Sequence, residues 1–305
     1  MGAPIVRGQF AELLAYGGLN MLTMNKFAEK PVQYTSLVNT KPSTRAYEED
    51  FMMSGFGPLA PQDELEPAML DRPFQLGTVR YIHQKFGLGY GISREMLDDD
   101  QYGVMQSLAG ELGKSSRWTL ELYGHDVYNN GFSGTKYVGR DGLTLFHEAH
   151  PIRGVPGLTI ANRPIGAGQA LTFATLEAAV QQFQRQVNDR GMPIEMRAAF
   201  LHVSVEEEMN ARRLLETVQQ PGGNANDVNV LVNRLQLVVH TYFTDTNAWY
   251  LTSEQSDLDV NMFMRQAPQT NTWDDPKING AYHTIQQRHS TGFGDWRGTW
   301  GSTGL

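Results

Sequence analysis

Cysteine is absent from this 305-residue chain. That excludes disulfide scaffolds, thiolate metal sites and a cysteine nucleophile. Charge is sparse, at 19% of residues, against ~25% in an ordinary domain. What charge there is leans acidic, with a formal net of -8 and no run of Lys or Arg. A protein that lives on phosphate contacts needs a basic face, so sequence-specific nucleic-acid binding is not expected. No stretch reaches the ~18 apolar residues of a membrane-spanning helix. Residues 10–24, FAELLAYGGLNMLTM, come nearest to a signal peptide, but Glu12, Gly17-Gly18 and Asn20 interrupt them and only Arg7 precedes them. The chain therefore reads as cytosolic in origin. No period of 20–50 residues recurs, which removes solenoids and propellers.

Hydrophobic residues make up 40% of the chain, enough for a real core, and the length suggests about two domains. Residues 1–44 mix a short apolar stretch with Gly-Gly, Pro31 and Pro42 and show no sustained period. They read as an arm that orders on another surface, with all periodic core positions after residue 90. Residues 45–91 read as a long hairpin. Its legs are Arg45–Met53 and Thr78–Phe86, and its broad tip carries Pro58, Pro61, Pro67 and Pro73. Glu48, Glu49 and Asp50 on one leg oppose Arg80, His83 and Lys85 on the other, a charge pattern that favours pairing.

Gly87-Leu-Gly89-Tyr-Gly91 reads as hinge backbone, since this spacing is not the dinucleotide fingerprint. A long helix follows, with Ser93 as N-cap and Glu95 in its first turn. Met105, Leu108, Leu112, Leu120, Tyr123 and Val127 form its apolar side, and it ends at Asn129-Asn130-Gly131. Gly103, Gly110 and Gly113 predict a bend or break near 101–113. From 132 to 255 the pattern is mixed: a helix over 175–189, a strand over 198–203, a capping box Ser204-Val-Glu-Glu207 opening a helix to Val218, and strands over 235–243 and 248–252. Two further strands, 258–265 and 282–289, flank a turn that includes Asp274-Asp275-Pro276 before a Gly/Trp-rich end.

Chemistry has little to stand on. His147-Glu148-Ala149-His150 is the one cluster like a metal site, but the zinc peptidase motif needs histidines four apart on a helix. Here the spacing is three, Pro151 follows at once and no third ligand is identifiable. The acidic runs Asp98–Asp100 and Glu206–Glu208 read as helix starts. No Gly-x-Ser-x-Gly elbow occurs. Neither an enzyme nor a cofactor is expected.

The arrangement of arm, hairpin, long helix, mixed domain and returning strands resembles the major capsid proteins of tailed bacteriophages, the Hong Kong 97-like fold. Three segments carry the likeness: Gly91-Ile-Ser-Arg-Glu-Met-Leu97 entering the helix, Gly142-Leu-Thr-Leu-Phe-His147-Glu-Ala-His150-Pro151 after it, and Asn233–His240 with Asn247–Leu251. The look is nearest to Mu-like head proteins. The resemblance implies an α+β fold with an N-terminal arm (1–44), an extended loop (45–91), a peripheral domain with a spine helix (92–131), an axial domain (132–255) and peripheral closing strands (256–305). It further implies self-assembly into hexamers and pentamers of an icosahedral head enclosing DNA, within a virion assembled in the bacterial cytoplasm. Partners would be other copies of the chain, a separate scaffolding protein, a portal protein and a decoration protein. Glu48, Glu49, Asp50, Arg80 and Lys85 are the expected assembly contacts. The resemblance places His150 in a structural turn. Lysine–asparagine cross-linking, which some relatives use, is not carried over. The alternatives are an encapsulin-type shell, which would have an N-terminal helix in place of the arm, and a metal-dependent hydrolase using His147 and His150.

Overall fold

The computed structural model describes residues 7–93, 104–134, 136–219, 228–275 and 280–304. The first element is a surprise of the N-terminal segment: helix α1, Arg7–Ala28. The sequence reading had no helix here, because Gly17-Gly18 weakens the local signal. Tertiary packing overrides it. The second helix, α2 (Val104–Asn129), lies against α1 so closely that a Cβ on Gly113 would collide with the Thr23 carbonyl. Likewise, a Cβ on Gly124 would meet the Tyr34 side chain. These glycines permit contact between segments, and α2 runs from 104 to 129; of the bend or break expected near 101–113, residues 101–103 lie outside the described residues. Prolines 31 and 42 merely end the N-terminal helix and its following strand β1 (Asn39–Pro42).

The hairpin forms as strands β2 (Tyr47–Met53) and β3 (Gln75–Ile82), antiparallel, with Glu49 opposite Arg80. The chain then turns into β4 (Gln84–Ser93), which is not part of the hairpin. The glycine run is therefore strand, not hinge: a side chain on Gly89 would strike Thr284. Ser93 is the last residue of this strand, and the helix start it was expected to cap lies outside the described residues. The helix-start residues Glu95 and Asp98–Asp100, with Gly103, lie outside the described residues, as do the Pro221-Gly222-Gly223 stop and Pro276. Side-chain packing of Met105 is likewise outside them.

A four-stranded sheet follows the order β1-β10-β11-β4, where β10 is Val260–Asp275 and β11 is Gly280–Phe293. Asp274 and Asp275 thus belong to a strand, not to a turn. A second sheet has the order β12-β9-β7-β8, made of Thr299–Ser302, Trp249–Thr252, Phe200–Ser204 and Gln236–His240. The last strand, β12, leaves the neighbourhood of β11 and pairs with β9. The closing segment 256–305 is therefore shared between the two sheets. A short pair, β5 (His150–Pro151) and β6 (Thr159–Ile160), sits between them in sequence.

Helix α3 (Phe173–Gln184) starts at Thr172, whose hydroxyl accepts from the Thr175 amide. It ends earlier than expected, at Gln184, and Val187 bridges Pro193. Helix α4 is Glu208–Glu216. Ser204 belongs to β7 and its hydroxyl bonds the Thr246 carbonyl at 2.5 Å, so the expected capping box is only half made, by a 3.4 Å bond from the Glu207 amide.

Two large apolar clusters, with a small third of Leu19, Ile92 and Ala109, form the interior of the described residues. One joins Leu176, Val180 and Phe183 of α3 and Leu214 and Leu215 of α4 to Leu201, Trp249, Leu251 and Trp300 of the second sheet. The other packs Leu120, Val127 and Tyr128 of α2 against Val260, Met262 and Phe293, and it includes Tyr34, Leu37 and Val38. The N-terminal 44 residues thus contribute to the core, contrary to the expectation that core positions begin after residue 90.

Candidate assembly surfaces

The five charged residues expected at assembly contacts do not act as one group. Arg80 meets Glu49 across the strand pair at 2.8 Å, and its guanidinium lies 4.0 Å from the Tyr47 ring centre. Glu48 accepts the Ser43 hydroxyl at 2.7 Å. Asp50 reaches out of the hairpin to Arg140 at 2.6 Å, and the same guanidinium group binds Asp259 at 2.7 Å. Burial alone would lower the pKa of Arg140, but Asp259 and Asp50 outweigh it and hold the charge. Lys85 lies on β4 opposite Arg288 of β11. It does not face the acidic leg, because β3 ends at Ile82 and after His83 the chain enters β4, which pairs with β11 instead of β2. The expected pairing of Lys85 with Glu48, Glu49 or Asp50 is corrected accordingly.

The base of the hairpin packs on its own subunit. Leu76 and Tyr81 are buried, and the Tyr81 ring sits 4.8 Å from that of Phe263. The tip is different. Residues 55–73 carry almost no regular structure, and Phe56, Leu59, Leu65, Met69 and Leu70 stand exposed, Leu59 completely. Arg190 clamps the neck: one guanidinium nitrogen bonds the Arg72 carbonyl at 2.8 Å, the Asp71 carboxylate at 3.2 Å and the Gly55 carbonyl at 3.3 Å. The Ser54 amide donates to the Phe74 carbonyl at 2.9 Å and closes the ring. Arg190 and Arg140 were invisible as functional residues in the sequence, since their partners lie more than 80 positions away.

His150 faces acceptor oxygens with both ring nitrogens, Asp141 at 2.5 Å and Asn162 at 3.2 Å, and stacks on Trp296 at 4.3 Å. His147 accepts the Ala149 amide at 3.1 Å. His150 opens strand β5, paired with Ile160, and not a turn as the resemblance implied; both histidines are held by hydrogen bonds. No group of three or more potential metal-ligating side chains occurs among the described residues.

A second histidine arrangement had no sequence signal at all. The main-chain oxygen of Glu121 lies 2.7 Å from His125 Nδ1; His125 Nε2 lies 2.9 Å from His240 Nδ1; His240 Nε2 lies 2.9 Å from His202 Nδ1; and His202 Nε2 lies 2.9 Å from the Thr252 hydroxyl. A carbonyl only accepts, so neutral His125 carries its proton on Nδ1 and accepts at Nε2. The same logic fixes the Nδ1–H tautomer at His240 and His202, with the Thr252 hydroxyl donating last. Burial keeps the row neutral: it lowers His125 to about 4 and His202 to about 3, and it holds His240 well below its ordinary value. The chain ties α2 to three strands of the second sheet. Glu121 extends the tie to the N-terminal segment, its carboxylate accepting the Gln33 and Tyr34 amides at 2.7 and 3.0 Å.

Two sheets, a long helix and a projecting hairpin define a subunit built to touch neighbours rather than to enclose a reaction. The phage capsid protein family profile matches residues 77–301, most of the chain, and the chain belongs to that family. Its role is structural, as a shell protein of a virion capsid, and not catalytic. The chain matches no curated protein. Among solved structures it is similar to the bacteriophage JBD30 procapsid, at 16% identity and TM-score 0.53, covering 99% of this chain and 77% of that one. It is similar to the JBD30 capsid decorated with minor capsid protein trimers, at 15% identity and TM-score 0.54, covering 70% and 92%. It is also similar to a chain of Mycobacterium phage Adephagia, at 12% identity and TM-score 0.58, covering 99% of both chains. The fold is the Hong Kong 97-like one. An N-terminal helix was expected to mark the encapsulin alternative, and α1 is present, so that feature does not separate the two readings; the family match favours the phage capsid.

Proposed function

We propose that this chain forms hexamers and pentamers that close an icosahedral head around phage DNA, assembled in the host cytoplasm. The family match carries the reading. The net charge of -8 suits a wall that should not hold packaged DNA tightly. Within the subunit, α2, the hairpin and the β1-β10-β11-β4 sheet serve as the peripheral part, and the second sheet with α3 and α4 as the axial part. A scaffolding protein, a portal and a decoration protein are the proposed partners; the decorated capsid of the similar phage JBD30 supports the last.

The hairpin is the proposed intersubunit strap, with Glu48, Glu49, Asp50 and Arg80 stiffening its base and Lys85 presented beside it. The exposed apolar tip supports this: five large apolar side chains in open solvent cost free energy that a neighbour would recover. Negative-stain imaging of the expressed protein tests the whole reading. Closed shells are the expected result. A stable monomer under all assembly conditions would overturn it.

A further inference from the structure

A groove of about 590 Å³ opens between β3, β11 and the loop that follows α2. Tyr81, Tyr123, Tyr137 and Phe293 give it aromatic walls. Its charged lining residues, Arg80 and Lys136, are both cations, and no carboxylate lines it. Arg80 pairs with Glu49 and Lys136 with Asp126, but all four side chains keep some solvent contact. Exchanging such a partner for an incoming carboxylate costs little.

One lining residue stands out. His289 is only 1% exposed, yet neither ring nitrogen has a hydrogen-bond partner. Its neighbours on the same face of β11 are satisfied: His283 by Thr23 and Thr272 at 2.9 and 2.8 Å, and Gln287 by Ser116 at 3.0 Å. The hydroxyl of Thr291, which also lines the groove, is unpartnered too. A buried polar group left unpaired costs roughly 1–3 kcal/mol. Several at one groove indicate that something polar and apolar together completes it.

The tip of the hairpin has that chemistry. Pro58-Leu-Ala-Pro61 places two prolines three apart in an extended, exposed segment. Asp63, Glu64 and Glu66 follow, with no Lys or Arg between Gly55 and Asp71. Proline-bearing extended segments lose little entropy on binding, and aromatic-lined grooves are their usual receptors. Their backbone amides and carbonyls are the kinds of partner that the His289 ring and the Thr291 hydroxyl lack. The tip does not fill the groove of its own chain: Arg190 and the Ser54–Phe74 pair hold its neck, and no residue of 54–74 lines the groove.

We propose that this groove receives the acidic proline segment, residues 58–66, of a second copy of the chain. The inference rests on the hairpin being a strap to a neighbour, and it names the receiving site. Because the chain has no cysteine, engineered thiols report without background. Leu59→Cys and Gln62→Cys are each combined with Val138→Cys on the groove wall; all three side chains are exposed, so folding is not threatened. Shells of each double variant are treated with a short thiol-to-thiol cross-linker, and maleimide labelling of the tip thiol is compared between shells and free subunits.

The expected result is a ladder of chains joined between subunits, with loss of the monomer band, together with protection of the tip thiol in shells. Single variants should stay monomeric on denaturing gels. A tip thiol protected in shells but never joined to position 138 would overturn the groove while leaving the strap intact. Equal labelling in shells and free subunits would remove both. A link formed only within one chain would overturn the second-copy assignment.

Discussion

One side of the second sheet packs Leu201, Trp249, Leu251 and Trp300 against the leucines and Phe183 of α3 and α4, a dry interior with Trp249 and Trp300 4.8 Å apart. The seams that α2 makes are built the opposite way. The face of β11 beneath the helices buries His283, Gln287 and His289, and the tie to the second sheet runs through His125, His240 and His202. The apolar interior supplies stability in proportion to area and tolerates many sequences. The polar seams hold α1, α2 and the two sheets in one registry, because each bond has one partner and one direction. They also make the registry sensitive to protons.

The largest expected effect is therefore acid. His125, His202 and His289 have folded pKa values depressed to about 4, about 3 and about 4 by burial, below an unfolded value of ~6.5. Between those limits the unfolded chain binds more protons, so stability rises with pH. It is full above ~6.5 and is lost as pH falls from there toward about 4. Glu121 and Asp259 work the other way, since burial raises their pKa values, but burial also lowers His83, His240 and His283, so the histidines dominate. At about 1.4 kcal/mol per pKa unit, the histidines together shift stability by on the order of 5 kcal/mol or more. Chemical denaturation of the free subunit from pH 7.5 to 4.5 should show this; a flat profile would break the contrast between seam and core.

Phe183→Ala in the dry interior comes next, at about 3–5 kcal/mol, and its cost should be the same at pH 7.5 and 5.5. Glu121→Ala strips the Gln33 and Tyr34 amides of their acceptor and should cost roughly 1–3 kcal/mol. Its clearest sign would be faster hydrogen exchange in residues 30–38 with the second sheet still protected. Equal loosening of both regions would show that the seam is not a separate element. The smallest effect on the subunit is Arg80→Glu. It sets like charges against Glu49 across the hairpin and costs under ~1 kcal/mol, so the melting temperature should barely move. If the hairpin is a strap, shell yield falls far more than that figure implies, since the penalty recurs at every contact. Unchanged yield would argue that the base of the hairpin serves only its own chain.

Much of the architecture was legible. The β-branched and aromatic legs, the apolar side of the long helix and the short apolar runs within 200–252 gave the elements, because burial writes itself into local sequence. So did the acidic leg opposing Arg80, a cross-strand pair set by register. The N-terminal helix was not legible, since its fit depends on Gly110 and Gly113, which lie close to Lys26 and Thr23 from about 90 residues away. Lys85 was misplaced because the one-residue break at His83, where the chain leaves the hairpin and joins β11, has no distinctive signal.

Composition and pattern by themselves determined that this chain has no thiol chemistry, no basic face, a long helix, two-legged hairpin and mixed sheet domain. Tertiary structure alone decided which histidines are neutral, that Arg140 and Arg190 anchor the hairpin at base and neck, and that His289 lies unpaired beneath an aromatic groove. The division has a physical cause. Hydrophobic periodicity is a property of neighbours in sequence, whereas hydrogen-bond partners, burial and the pKa values they set depend on groups brought together from distant parts of the chain, 38 positions apart for His202 and His240 and 115 for His125 and His240.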